Sequence, residues 1–291
     1  MTLFSAPVDD FRLAYDRLGD GPRAIVLLHG WPGDRTDHRD LAPRLAEHAV
    51  AVVPDLRGFG ESDKHDADPA TAYGADAQAR SVAALIEELG LEAPVVAGYD
   101  VGSAVAQALA RRRPELISHL VLSPPMPGVG DRILSPGSVP EFWYQAFHNL
   151  DLAPQLVDGD REAVRAYLAH FWTHWSGPQF TLADAALDHL VEAYSPPGAF
   201  RASINWYRAG AGSIARYGSE RTPERTARTS VPLDVVWPEH DPLFPVSWSD
   251  RLDDWFTDVT LHHARGAGHF TPLEATEMFG ELIMAALRRT G

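Results

Sequence analysis

The segment Gly98-Tyr99-Asp100-Val101-Gly102 sets a carboxylate between two glycines spaced to flank the apex of a sharp turn. It follows the apolar run Val95-Val-Ala97 and precedes a helical pattern, so it reads as a strand-to-helix elbow. Such a turn needs small residues two before and two after its apex, because larger side chains would clash. The apex side chain then stands exposed above the strand ends, at the positive end of a helix. Here the apex is Asp100, a carboxylate nucleophile, with an ordinary turn or helix N-cap as the alternative reading. Ser103 lies inside the helix without flanking glycines and is no rival. His29-Gly-Trp-Pro32 follows another apolar run, where the backbone N–H of Trp31 joins that of Val101 as a candidate oxyanion hole. His240-Asp241 and Gly266-Ala-Gly-His269 come late in the chain, each just past an apolar run. The order Asp100, Asp241, His269 is nucleophile, acid and base, an arrangement for covalent catalysis followed by hydrolysis.

These residues act together only if one sheet gathers them. Short apolar runs at Phe11–Tyr15, Ala24–Leu28, Val50–Val53, Val95–Ala97 and His119–Leu122 suit strands, and helical patterns over 38–47, 73–89 and 101–113 lie between them. Strands return at Leu233–Trp237 and Val259–His262, and a final helix is expected over about 272–289. Alternation of this kind predicts an α/β fold with a mostly parallel sheet and a site at the carboxyl ends of its strands. Residues 127–228 lack strand runs, are broken by prolines, and contain 14 of the chain's 28 aromatic residues. They read as an inserted helical lid between core segments 1–126 and 229–291. Its aromatic residues either build the lid's own core or wall a pocket against the sheet, and both can hold.

The 291-residue composition narrows the chemistry. Lys+Arg 25 against Asp+Glu 40, a formal charge of −15, argues against nucleic acid and anionic membrane surfaces as partners. There is no cysteine, which removes disulfides, thiolate metal sites and a thiol nucleophile, and Lys64 is the one lysine. No glycine-rich phosphate loop with lysine follows a strand, so no cofactor is expected. His170 and His174 have the spacing of two metal ligands on one helical face, but no third ligand is evident and no metal is expected. Without a visible secretory signal or membrane-length apolar run, a cytoplasmic protein is expected, as monomer or homodimer.

Together these stretches, with Pro54-Asp-Leu-Arg-Gly-Phe-Gly-Glu-Ser62, resemble the α/β-hydrolase superfamily, specifically its branch of epoxide hydrolases and dehalogenases with an aspartate nucleophile. The resemblance covers nearly the whole chain. It implies an eight-stranded, mostly parallel sheet flanked by helices, a lid inserted after the sixth strand, and a cis bond before Pro32. Resemblance to epoxide hydrolases implies two lid tyrosines that donate hydrogen bonds to the epoxide oxygen. Phe142-Trp-Tyr144-Gln-Ala-Phe147 assigns the first to Tyr144, and Ser203-Ile-Asn-Trp-Tyr207-Arg208 the second to Tyr207. Haloalkane dehalogenases place a halide-binding Trp where this chain has Val101, and fluoroacetate dehalogenases place arginines after the nucleophile that are missing here. The expected activity is opening of an apolar or aromatic epoxide to a diol through an Asp100 ester, with His269 and Asp241 activating water. A polycyclic epoxide of secondary metabolism is a narrower version. The alternatives are a dehalogenase with the same triad and a non-catalytic, lid-gated small-molecule binder. Tyr99 stands where many relatives have His, a departure that touches pocket shape.

Overall fold

The structure, a computed structural model, describes residues 2–289. Its centre is an eight-stranded sheet built from β1 (Leu3–Phe4), β2 (Ala14–Leu18), β3 (Ala24–Leu28), β4 (Val50–Pro54), β5 (Val95–Gly98), β6 (His119–Leu122), β7 (Leu233–Pro238) and β8 (Val259–Ala264). The spatial order is β1-β2-β4-β3-β5-β6-β7-β8. β1 with β2 and β2 with β4 are antiparallel, and every other pair is parallel. The five central strands are buried along their whole length, because helices cover both faces, and this is why they read as unbroken apolar runs.

Helices α1 (Leu41–Ala46), α2 (Pro69–Ala72), α3 (Ala75–Glu88) and α4 (Asp100–Arg112) lie in the first part of the chain. Between β6 and β7 comes an all-helical insertion: α5 (Trp143–His148), α6 (Leu152–Val157), α7 (Arg161–His174), α8 (Asp184–Tyr194), α9 (Ala199–Arg208) and α10 (Ser213–Gly218). The chain closes with α11 (Thr271–Glu274) and α12 (Thr276–Arg289). Among the described residues no helix is long and apolar enough to cross a membrane.

Three elements differ from the sequence reading. The strand expected at Phe11–Tyr15 lies at Ala14–Leu18; Phe11 is buried in a bridge with Val8 and packs on Tyr73, so its apolar signal came from loop packing. The two-residue β1 carries no run that sequence could show. The closing helix is interrupted at Ala275, whose backbone leaves the helical region.

The packing of α4 on the sheet depends on two glycines. A Cβ on Gly102 would run into the carbonyl oxygens of Leu28 and His29, and one on Gly98 would come within 2.9 Å of the Gly102 backbone. Helix α4 therefore sits against the end of β3 only because neither residue has a side chain. Gly102→Ala is expected to cost about 1–3 kcal/mol of unfolding free energy, as overpacking against rigid backbone does. Urea unfolding checks this, and a loss below about 0.5 kcal/mol, the range of ordinary surface changes, would contradict it.

Candidate active site

The turn between β5 and α4 brings Asp100 to its apex at φ +46°, a left-handed conformation that disfavours a branched side chain. The strain is held in place by hydrogen bonds on both sides of the turn. The Asp100 N–H donates to Pro124 O at 3.0 Å, and Ser123 N–H donates to Gly98 O at 3.0 Å. Beneath the turn the Tyr99 hydroxyl donates to Asp37 Oδ2 at 2.6 Å in the fully buried interior. Burial, and then the nearby Asp34 carboxylate, hold Asp37 well above the usual carboxylate range.

Each Asp100 carboxylate oxygen faces a different group. Trp31 N–H donates to Oδ2 at 2.7 Å, and His269 Nε2 stands 3.8 Å from Oδ1. Val101 follows in the first turn of α4, ahead of the first helical bond, from Ser103 N–H to Tyr99 O. Its N–H therefore has no partner within the helix. The bond between Trp31 and Pro32 is cis.

His269 lies past β8 and Asp241 past β7, and both are buried. Nδ1–H of His269 donates to Asp241 Oδ2 at 2.9 Å, and the other Asp241 oxygen accepts from Leu243 N–H at 2.8 Å. That bond fixes the tautomer, leaving Nε2 turned toward Asp100 and without a hydrogen-bond partner. Burial alone lowers the imidazole, but the Asp241 and Asp100 carboxylates outweigh it and raise His269 to about 10. The loop carrying His269 is clamped by Glu274, whose carboxylate accepts from Gly268, Phe270 and, in the insertion, Gly177.

Tyr144 on α5 and Tyr207 on α9 are buried, with rings 5.5 Å apart and perpendicular. Burial, with the Asp100 charge adding to it, raises both phenols well above their usual range, so both stay neutral donors. The Trp31 indole sits among insertion aromatics, lying parallel to Tyr144 at 5.8 Å and edge-on to Tyr207 and Phe171 at 5.9 and 4.8 Å. The insertion's aromatic residues thus pack around Trp31 as well as on one another.

Sequence reasoning missed Gln145. Its Oε1 accepts from Ile214 N–H at 3.0 Å, a group that can only donate, so the other end of the amide must be Nε2. That Nε2 donates to the Tyr144 hydroxyl oxygen at 3.0 Å. The Tyr144 oxygen is therefore an acceptor here, and its own proton is free to point elsewhere. Only the adjacency of Gln145 to Tyr144 hinted at this. Glu274 left no signal, since its partners are backbone N–H groups, which no residue type marks. Of the two histidines with metal-ligand spacing, His174 bonds Glu141 at 2.7 Å and stacks on His170 at 5.6 Å.

A sheet of this order, with a sharp strand-to-helix turn after its fifth strand and a buried histidine after its last, defines an α/β-hydrolase. The model of the alpha/beta hydrolase fold family matches residues 23–276, and the chain belongs to that family. Its relatives include a soluble epoxide hydrolase of Corynebacterium sp. (strain C12), 30% identical over 94% of this chain and 93% of that one. A haloalkane dehalogenase of Bradyrhizobium diazoefficiens is also 30% identical, over 96% of this chain and 79% of its own. Among solved structures, a ligand-free epoxide hydrolase superposes with a TM-score of 0.85 at 24% identity, over 100% of this chain and 99% of its own.

Because Asp100, beside Asp241, helps hold the proton on His269, removing its charge should weaken that hold. In Asp100→Asn the His269 midpoint should fall from about 10 by about one to three pH units, read by NMR titration of the imidazole. An unchanged midpoint would show that Asp241 alone sets it.

Proposed function

We propose that this hydrolase opens epoxides to vicinal diols through a covalent ester of Asp100. The observation that carries the reading is a carboxylate at the elbow with one oxygen on Trp31 N–H and the other facing His269. Two buried neutral phenols stand close enough for its charge to act on them. The Corynebacterium relative, a soluble epoxide hydrolase, supports the same activity.

In the first step Asp100 Oδ1 attacks an epoxide carbon and the carbon–oxygen bond of the ring breaks. Tyr144 and Tyr207 donate hydrogen bonds to the oxygen as it becomes an alkoxide. Ester formation removes the Asp100 charge, and with it part of what holds the proton on His269. The alkoxide takes up a proton while the imidazole gives one up, so His269 becomes a base only after the ester exists. It then deprotonates water, which attacks the Asp100 carbonyl carbon. Trp31 and Val101 N–H groups stabilise the tetrahedral oxyanion, and its collapse releases the diol and restores the carboxylate. The aromatic surroundings of Trp31 favour an uncharged apolar or aromatic substrate.

A dehalogenase using the same three residues is the second reading, supported by the Bradyrhizobium relative. Val101 offers no halide-binding indole, and the two phenols are suited to an epoxide oxygen, which ranks this reading second.

Styrene oxide, a fatty-acid epoxide and a polycyclic epoxide should include at least one that yields diol. 1,2-Dibromoethane, chloroacetate and fluoroacetate should release no halide. Tyr144→Phe with Tyr207→Phe should slow ring opening about 10²- to 10⁴-fold without loss of fold. Halide release without diol formation, or a double variant at wild-type rate, would overturn the epoxide assignment.

A further inference from the structure

The guanidinium of Arg111, near the end of α4, differs from its neighbours in making no ion pair, Asp76 acting on it only from a distance. Arg112 pairs with Asp76, and Arg113 pairs with Glu87 at 2.7 Å. Arg111 has no ion pair or hydrogen bond among the described residues. It lines a cavity of about 270 Å³ shared with Arg216 on α10 and Arg221 just beyond it. Arg216 contacts the Tyr217 ring at 5.9 Å, and Arg221 donates only to the neighbouring Glu220 carbonyl at 2.7 Å. Glu220 is the one acid lining the cavity, and its two oxygens accept from Gly128 N–H at 3.0 Å and Gly130 N–H at 2.9 Å. Arg111 is exposed at the cavity's edge, where partial desolvation and then the approach of Arg216 lower it from its usual value against a weaker pull from Asp76. Like charges are thus gathered in a chain whose net charge is −15. The arrangement leaves a repulsion that a bound anion would relieve.

Two further features of the cavity point to the rest of the ligand. Gln107, one turn before Arg111 on α4, is 2% exposed, and its Nε2 donates to Pro125 O at 2.8 Å. Its Oε1 has no partner, although the residue lines the cavity, and such a buried acceptor calls for a donor. Trp255 and Phe256 supply a flat apolar wall.

We propose that this cavity, between the far end of the nucleophile's helix and the end of the insertion, binds a small aromatic hydroxy acid. The carboxylate lies between Arg111 and Arg216, the ring against Trp255 and Phe256, and the hydroxyl donates to Gln107 Oε1. Asp100 and Arg111 stand at opposite ends of α4, about 16 Å apart by helical rise, so the site is separate from the chemistry described above. An occupant bridges α4 of the core to α10 of the insertion.

Titration calorimetry with 3- and 4-hydroxybenzoate tests this directly, with benzoate and 4-hydroxybenzamide as probes lacking the hydroxyl or the charge. At least one hydroxybenzoate should bind saturably and more tightly than either control. Arg111→Gln with Arg216→Gln should weaken it at least about tenfold, the loss of charge-assisted bonds. Arg111→Glu should abolish binding and, by pairing with Arg216, raise the ligand-free Tm by about 2 °C. No saturable binding by about 10 mM, or equal binding to the double glutamine variant, would overturn the site. Equal binding of benzoate would remove Gln107 from it, and a lowered Tm in Arg111→Glu would contradict the unrelieved repulsion. All these readouts are independent of turnover and of whether the substrate is an epoxide.

Discussion

Asp100 holds its carboxylate out of the sheet at a backbone angle that an L-residue adopts at a cost of about 1–3 kcal/mol. The surrounding structure keeps it there. Glycines on either side let α4 approach the end of β3, and two backbone hydrogen bonds tie the turn to the segment after β6. If the turn relaxed, the carboxylate would leave both Trp31 N–H and the face of His269. The elbow therefore sets the positions of the other groups as well as its own.

Trp31 joins the two layers of the molecule. Its backbone N–H belongs to the core and holds Asp100, while its indole packs among aromatic residues contributed by α5, α7 and α9. The same residue therefore couples the position of the carboxylate to the packing of the insertion. Glu274 makes a second such link, bonding one loop that carries His269 and another that belongs to the insertion. Charge adds to the coupling, because the Asp241 carboxylate and then that of Asp100 favour the proton on His269.

The central strands are legible in sequence because each is a short, mostly apolar run buried on both faces. The convergence of Asp100, Asp241 and His269 follows, since each stands just past the carboxyl end of a strand and a parallel sheet aligns those ends. Local chemistry beyond the motifs is less legible. Gln145 bonds an amide 69 positions away, and Tyr99 bonds an aspartate 62 positions away, so nothing in the neighbouring sequence marks either pair. Phe11 misleads for the opposite reason. Its apolar character satisfies a small loop cluster rather than the sheet.

The source of the oxygen added to the product tests the role of Asp100 most directly. In a single turnover of an epoxide in heavy-oxygen water, with enzyme in excess, the first diol should carry no label. The label should appear instead in the peptide containing Asp100, because the carboxylate gives one of its own oxygens to the product and regains one from water. Label in the first-turnover diol, with none in that peptide, would mean that water attacks the epoxide directly and that Asp100 is not the nucleophile.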